Sequence, residues 1–92
     1  MVKKIIKRDG RIVPFDQTKI LNAISKAVER SEEEVKIGEL TDEVVSLLNK
    51  KYKNETPTVE QTQDIIEDLL IKHNYAKTAK EYITYRHERT SV

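Results

Sequence analysis

The chain has 92 residues, with 17 Lys and Arg against 16 Asp and Glu and a formal net charge of +1, which fits one domain with a modest core. That balance excludes a whole-domain field for gripping DNA or a membrane surface. The lack of cysteine excludes disulfides, thiolate metal sites and cysteine nucleophiles. Hydrophobic residues make up 37% and charged residues 36%, so only a periodic apolar pattern distinguishes a folded chain from a disordered one.

Val2 to Lys7 is rich in β-branched residues, and Arg11 to Val13 continues in kind. Asp9-Gly10 between them signals a hairpin, because both residues can take positive φ. Pro14 lacks the amide hydrogen a ladder needs and is expected to end the second strand. Asp16 then reads as an N-cap for a first helix carrying Ile20, Leu21, Ile24, Ala27 and Val28. Glu29 to Glu34 is polar and predicts a turn. A second helical stripe takes in Ile37, Leu40, Val44, Leu47, Leu48 and Tyr52; Gly38 weakens an early start, and Thr41 could cap a later one. After the breaker Asn54-Glu55-Thr56-Pro57, Thr58 and Gln61 make a capping box. It opens a third helix with Ile65, Ile66, Leu69 and Leu70 on its buried side. His73-Asn74 is the expected stop. A fourth helix follows from about Tyr75, with Ala76, Ala79, Tyr82, Ile83 and Arg86 on related faces. The predicted fold is α+β, an N-terminal β-hairpin packed on a four-helix bundle in the order ββαααα, with residues 1–92 as a single domain.

No apolar run approaches the length of a transmembrane helix, and the opening Met1-Val2-Lys3-Lys4 lacks the apolar core of a signal peptide. The expectation is a cytoplasmic protein without membrane contact. The charged helical ending at Val92 is as consistent with a piece of a longer chain as with a natural terminus.

No phosphate loop of the GxxxxGK type and no GxGxxG exists. His73 and His87 are too far apart for an HxxxH site, and the carboxylates are many but unpatterned. A catalytic site is therefore unsupported. What stands out is a basic cluster: Lys7, Arg8 and Arg11 at the hairpin, and Lys19 in the first turn of the first helix. A cation there opposes the helix dipole. It is better accommodated if a phosphate lies between it and the free amides of the helix start, and two or three converging cations suit a triphosphate. A solvated hairpin tip whose charges keep an edge soluble explains the same residues. Thr58 and Thr62, one turn apart, could offer a hydroxyl to a base or ribose, although Thr58 is also a cap. Tyr82, Tyr85 and Arg86 read either as core or as contacts on the fourth helix.

Ile6-Lys7-Arg8-Asp9-Gly10, Val13-Pro14-Phe15-Asp16, Lys19-Ile20 and Ala23-Ile24 together resemble the opening of the ATP-cone domain. Thr58 to Leu70, with Gln63-Asp64, is similar to that family's third-helix segment, and Ala79 to Arg89 to its closing helix. ATP-cones are ββαααα regulatory modules of ribonucleotide reductases and of a bacterial repressor of reductase genes. The resemblance implies allosteric binding of ATP or dATP, with magnesium as companion ion. ATP would permit turnover of a parent reductase and dATP would stop it. It implies base and phosphate contacts from Ile5, Lys7 and Arg8, a phosphate contact from Lys19 flanked by Asp16 and Ile20, and contacts near the nucleotide from Thr58 and Thr62. A basic contact from the fourth helix falls to Arg86 or Arg89. Val13 stands where many cones are acidic, and Thr62 where some have histidine. The ending Tyr85-Arg86-His87-Glu88-Arg89 looks most like the anaerobic, glycyl-radical triphosphate reductase. Implied partners are the catalytic core of that reductase and other copies through the cone; direct nucleic-acid binding by this segment is not expected. The alternatives are a cone of another reductase class or of a transcriptional regulator, and a ligand-free helical interaction domain.

Overall fold

The computed structural model describes residues 1–90. Two strands, β1 (Lys4–Ile6) and β2 (Ile12–Pro14), precede four helices: α1 (Gln17–Ser31), α2 (Ile37–Lys51), α3 (Val59–Lys72) and α4 (Ala76–Thr90). The strands are antiparallel, with Lys4 opposite Pro14, Ile5 opposite Val13 and Ile6 opposite Ile12. The expected hairpin is present, with Pro14 closing its second strand and its tip lying between Lys7 and Arg11. Gly10 has φ 88°, whereas Asp9 is not among the residues with positive φ. The Lys7 amide donates to the Arg11 carbonyl at 2.8 Å and the Gly10 amide to the Lys7 carbonyl at 2.9 Å. Arg8, Asp9 and Gly10 therefore form a three-residue tip closed by a left-handed glycine. Asp9 adopts another turn role: its carboxylate accepts from the Arg11 amide at 3.0 Å and from Arg11 Nε at 2.6 Å.

A lone hairpin is marginal in water and needs a surface to dock on. Here the outer edge of β1 pairs with the stretch before α3. The Ile6 amide donates to the Pro57 carbonyl at 2.9 Å, and Ile6 bridges Thr58 in parallel. At the chain start, the Val2 amide reaches Asn49 Oδ1 at 2.7 Å, and Val2 and Phe15 pack against the core.

The helices follow local chemistry. Asp16 caps α1, its Oδ1 accepting from the Thr18 amide at 3.0 Å and from Thr18 Oγ1 at 2.6 Å. The polar segment expected to turn from Glu29 stays helical through Ser31, because Glu29 and Arg30 are adequate helix formers. The chain leaves α1 only at Glu32, at φ 56°. Leu21, one of the apolar residues at helical spacing, is 36% exposed, and the buried residues of α1 are Ile20, Ile24 and Ala27. Helix α2 starts at Ile37, with Thr41 buried inside it and its Oγ1 donating to the Ile37 carbonyl at 2.8 Å. The penalty for glycine applies to helix interiors, and Gly38 lies in the first turn. The Thr58–Gln61 capping box is complete. Helix α3 ends at Lys72, followed by Asn74 at φ 61°.

Helix α4 is capped from a distance. Glu33, in the α1–α2 connection, accepts from the Thr78 amide at 3.0 Å and from Thr78 Oγ1 at 2.8 Å, and Ser31 Oγ lies 2.9 Å from the same hydroxyl. These bonds hold the Glu33 carboxyl below the usual carboxylate range. Ala76, expected on a related face to Ala79, is exposed.

Each helix packs on two others in a closed ring: α1 on α2 and α4, and α3 on α2 and α4. Ile24, Val44, Leu48, Leu70 and Tyr82 fill the centre. Among the described residues no helix is long and apolar enough to cross a membrane.

Candidate functional site

Docking of the hairpin on the start of α3 carries its tip over an acidic helix face. Glu60, Asp64 and Glu67 recur at helical spacing along α3. Arg8 reaches across from the hairpin, its Nε 3.3 Å from Glu60 Oε1 and its Nη2 donating to Gln63 Oε1 at 2.9 Å. Gln63 is itself buried. From α4, Arg86 Nη1 lies 2.8 Å from Asp64 Oδ1 and 3.1 Å from Glu67 Oε1, while Nη2 donates to the Glu60 carbonyl at 3.3 Å. Burial alone would pull the Arg86 pKa down, but the bonds to Asp64 and Glu67 outweigh it and raise it. The guanidinium fork thus meets three acceptors at once, a geometry that a lysine point charge could not reproduce.

Two clefts open beside this network. One, of about 330 Å³, is lined by Arg8, Glu60, Glu67, Arg86 and His87. The other, of about 310 Å³, lies under the hairpin tip and includes Lys7, Arg8, Gly10, Thr58 and Glu60. Each is near the lower end of the range for small-molecule sites, and each mixes cations with carboxylates: Arg8 and Arg86 with Glu60 and Glu67 in the first, Lys7 and Arg8 with Glu60 in the second. Among the described residues no group of three or more His, Asp or Glu gathers to hold a metal ion.

The residues singled out in the sequence are distributed unevenly around these clefts. Lys7, Arg8 and Thr58 line the tip cleft and Arg86 the other. Thr58 caps α3, its Oγ1 accepting from the Gln61 amide at 3.0 Å. Thr62 is buried one turn on, its Oγ1 donating to the Thr58 carbonyl at 3.1 Å. Ile5 pairs with Val13 in the hairpin, both half-buried, and Ile20 belongs to the core. Asp16 and Lys19 are exposed at the start of α1, outside both linings; bonds from Thr18 hold the Asp16 carboxyl below its ordinary range. Arg89 lies over the Tyr85 ring, 5.9 Å from its centroid, and Lys26 Nζ is at 5.9 Å from the same ring. Arg11 is paired with Asp9 at the tip. Sequence reasoning missed Glu60 and Glu67 and gave Gln63-Asp64 only as part of a family pattern, without a role; the carboxylates judged unpatterned do follow a helical spacing on α3, which was the available signal.

The family profile described as "ATP cone domain" matches residues 3–91. The chain is 39% identical, over its whole length, to a vitamin B12-dependent ribonucleoside-diphosphate reductase of Thermoplasma acidophilum, of which the match covers 12%. It is 34% identical over 92% of its length to an anaerobic ribonucleoside-triphosphate reductase of Haemophilus influenzae, again covering 12% of that protein. It is also 32% identical over 94% of its length to the transcriptional repressor NrdR of Pelobacter propionicus, covering 59% of it. The chain therefore spans a small fraction of the reductases it matches.

Proposed function

The chain belongs to the ATP-cone family, and from that premise we propose that residues 1–92 act as one cytoplasmic regulatory unit that binds ATP or dATP and sets the overall activity of a ribonucleotide reductase. ATP permits turnover and dATP stops it. The observation that carries this reading is the convergence of cations from segments far apart in sequence. Arg8 from the hairpin and Arg86 from α4 both bond to Glu60 in the first turn of α3 and line one cleft together, with Lys7 in the neighbouring one.

In this reading Lys7, Arg8 and Lys19 hold phosphate oxygens, with a further cation from Arg86 or Arg89. Lys7 and Lys19 form no ion pair among the described residues, unlike Arg8, Arg11 and Arg86. Ile5, Asp16 and Ile20 frame the hairpin and α1 side, and Thr58 and Thr62 stand on the α3 side. Magnesium travels with the nucleotide, bound chiefly by its phosphates, as is usual for a cation that keeps most of its waters. ATP and dATP differ by one hydroxyl, and an unmet partner for it is worth about 1–3 kcal/mol. A coupling of about 1–3 kcal/mol to the catalytic core suffices for regulation.

The tail Tyr85-Arg86-His87-Glu88-Arg89 supports an anaerobic triphosphate reductase as the parent, with its catalytic core, and other copies through the cone, as partners. The 39% identity to a vitamin B12-dependent diphosphate reductase favours a second reading, a parent of that class. Titration calorimetry with ATP and dATP tests the shared part. Heat of binding is expected for both, and Lys7→Ala with Lys19→Ala should weaken ATP far more than adenosine. Folded protein that gives no heat with either nucleotide refutes the reading.

A further inference from the structure

The two clefts share two lining residues, Arg8 and Glu60. The side chains of that pair meet at 3.3 Å, so both clefts border on one ion pair. On one side lie Lys7, Gly10 and Thr58; on the other, Glu67, Arg86 and His87. The pair is built to open. The Glu60 side chain is 61% exposed and that of Arg8 30% exposed, and an ion pair this wet contributes little to stability. Arg8 also has a second anchor, its Nη2 donating to Oε1 of the buried Gln63. Glu60, in turn, holds Arg86 through its backbone carbonyl and not through its carboxylate. The carboxylate can therefore swing away without dismantling the α3–α4 contact.

We propose that Glu60 is a charge-selective gate: its carboxylate occupies the Arg8 guanidinium as a stand-in for phosphate, and a ligand must supply enough negative charge to displace it and join the two clefts into one trough. This rests on the nucleotide-binding reading above and adds a specificity determinant to it. The gate has two consequences. Every ligand that takes Arg8 must first outcompete a carboxylate. A displaced but nearby Glu60 then repels the phosphates in proportion to their charge. Neutralising Glu60 removes both penalties, and the gain is larger for a triphosphate than for a monophosphate.

The test is calorimetric titration of the 92-residue chain with ATP and with AMP, comparing the wild type, Glu60→Gln and Asp68→Asn. Asp68 is an exposed carboxylate on the same helix that lines neither cleft, so its variant controls for the general change in charge. One unit charge at contact distance in water corresponds to a factor of about five in affinity. Glu60→Gln should therefore tighten ATP by roughly three- to tenfold and AMP by less, with Asp68→Asn near the wild type. Circular dichroism checks folding, and Glu60→Ser carries the same comparison if the glutamine variant loses helix. ATP binding to the wild type that is unchanged or weakened by neutralising Glu60 overturns the gate and leaves the nucleotide reading standing. Equal tightening by Asp68→Asn also overturns it. A wild type that binds neither nucleotide removes the nucleotide reading itself.

Discussion

Thr58 joins the stability of α3 to the docking of the hairpin, so its replacement separates two roles. Its Oγ1 accepts from the Gln61 amide at 3.0 Å, and the Gln61 side chain returns to the Thr58 amide at 2.9 Å. Thr58→Ala deletes the first bond and leaves the second, together with the backbone bridge to Ile6. Loss of a threonine cap costs about 1 kcal/mol, within roughly 0.5–2 kcal/mol. In a domain of this size about 1 kcal/mol lowers Tm by roughly 4–8 °C. Thr58→Ser keeps the hydroxyl and should stay within about 0.5 kcal/mol of the wild type. Because the two bonds of the box support each other, Gln61→Ala combined with Thr58→Ala should lose less than the sum of the single losses, by about 0.5 kcal/mol. Urea unfolding followed by circular dichroism, with an unchanged slope, gives these values. A Thr58→Ser variant as unstable as Thr58→Ala would refute the capping argument, because the hydroxyl would then not be the group that matters.

Two further expectations concern acid and the core. The Asp16 carboxyl is depressed in the folded state by the side-chain and backbone bonds from Thr18. A depressed carboxyl contributes stability above its unfolded value, about 3.9, and that contribution disappears as pH falls through the folded value. Asp16→Asn can still cap, so melting curves from neutral to acidic pH should show the wild type losing its advantage over the variant in that window; a constant difference down to the lowest pH contradicts it. Leu48→Ala removes a fully buried side chain and should cost about 2–5 kcal/mol. Leu21→Ala, on the outer side of α1, should cost clearly less, and equal losses in urea would mean that the narrow core face of α1 is wrongly drawn.

Much of the fold was legible because it rests on local signals. The capping box at Thr58, the cap at Asp16 and the stop at His73-Asn74 are encoded within a few residues, and each is where the sequence placed it. The misreadings came from competition that local rules do not resolve. Asp9 could have taken positive φ, but a carboxylate two residues before an amide can make an Asx turn instead, and Arg11 strengthens that choice through its guanidinium. Leu21 matches a wide helical stripe; only the actual packing of α1 against α2 and α4 shows that the buried face is narrow. The cap of α4 by Glu33 was illegible because 45 residues separate the partners. The site divides in the same way. Lys7, Arg8 and Arg86 were visible as cations, whereas the α3 carboxylates that hold the arginines acquire meaning only once the hairpin lies on that helix.

That placement bears on how a bound ligand would act. The four helices close around a shared apolar core, so moving one against another disturbs packing and is costly. The hairpin is tied differently: by the Ile6–Pro57 bond, the Val2–Asn49 bond, Val2 and Phe15 against the core, and Arg8 on α3. Elements with few buried apolar contacts open at lower free energy than the core. A ligand held, as proposed, by Lys7 and Arg8 on one side and by α3 and α4 on the other would spend its binding energy on this joint. The helical ring is then a rigid base and the hairpin the part whose position a ligand can bias. On this argument ligand protection in hydrogen exchange belongs at Ile6, Lys7 and the first turn of α3, and not at Leu48 or Leu70, which the core already protects.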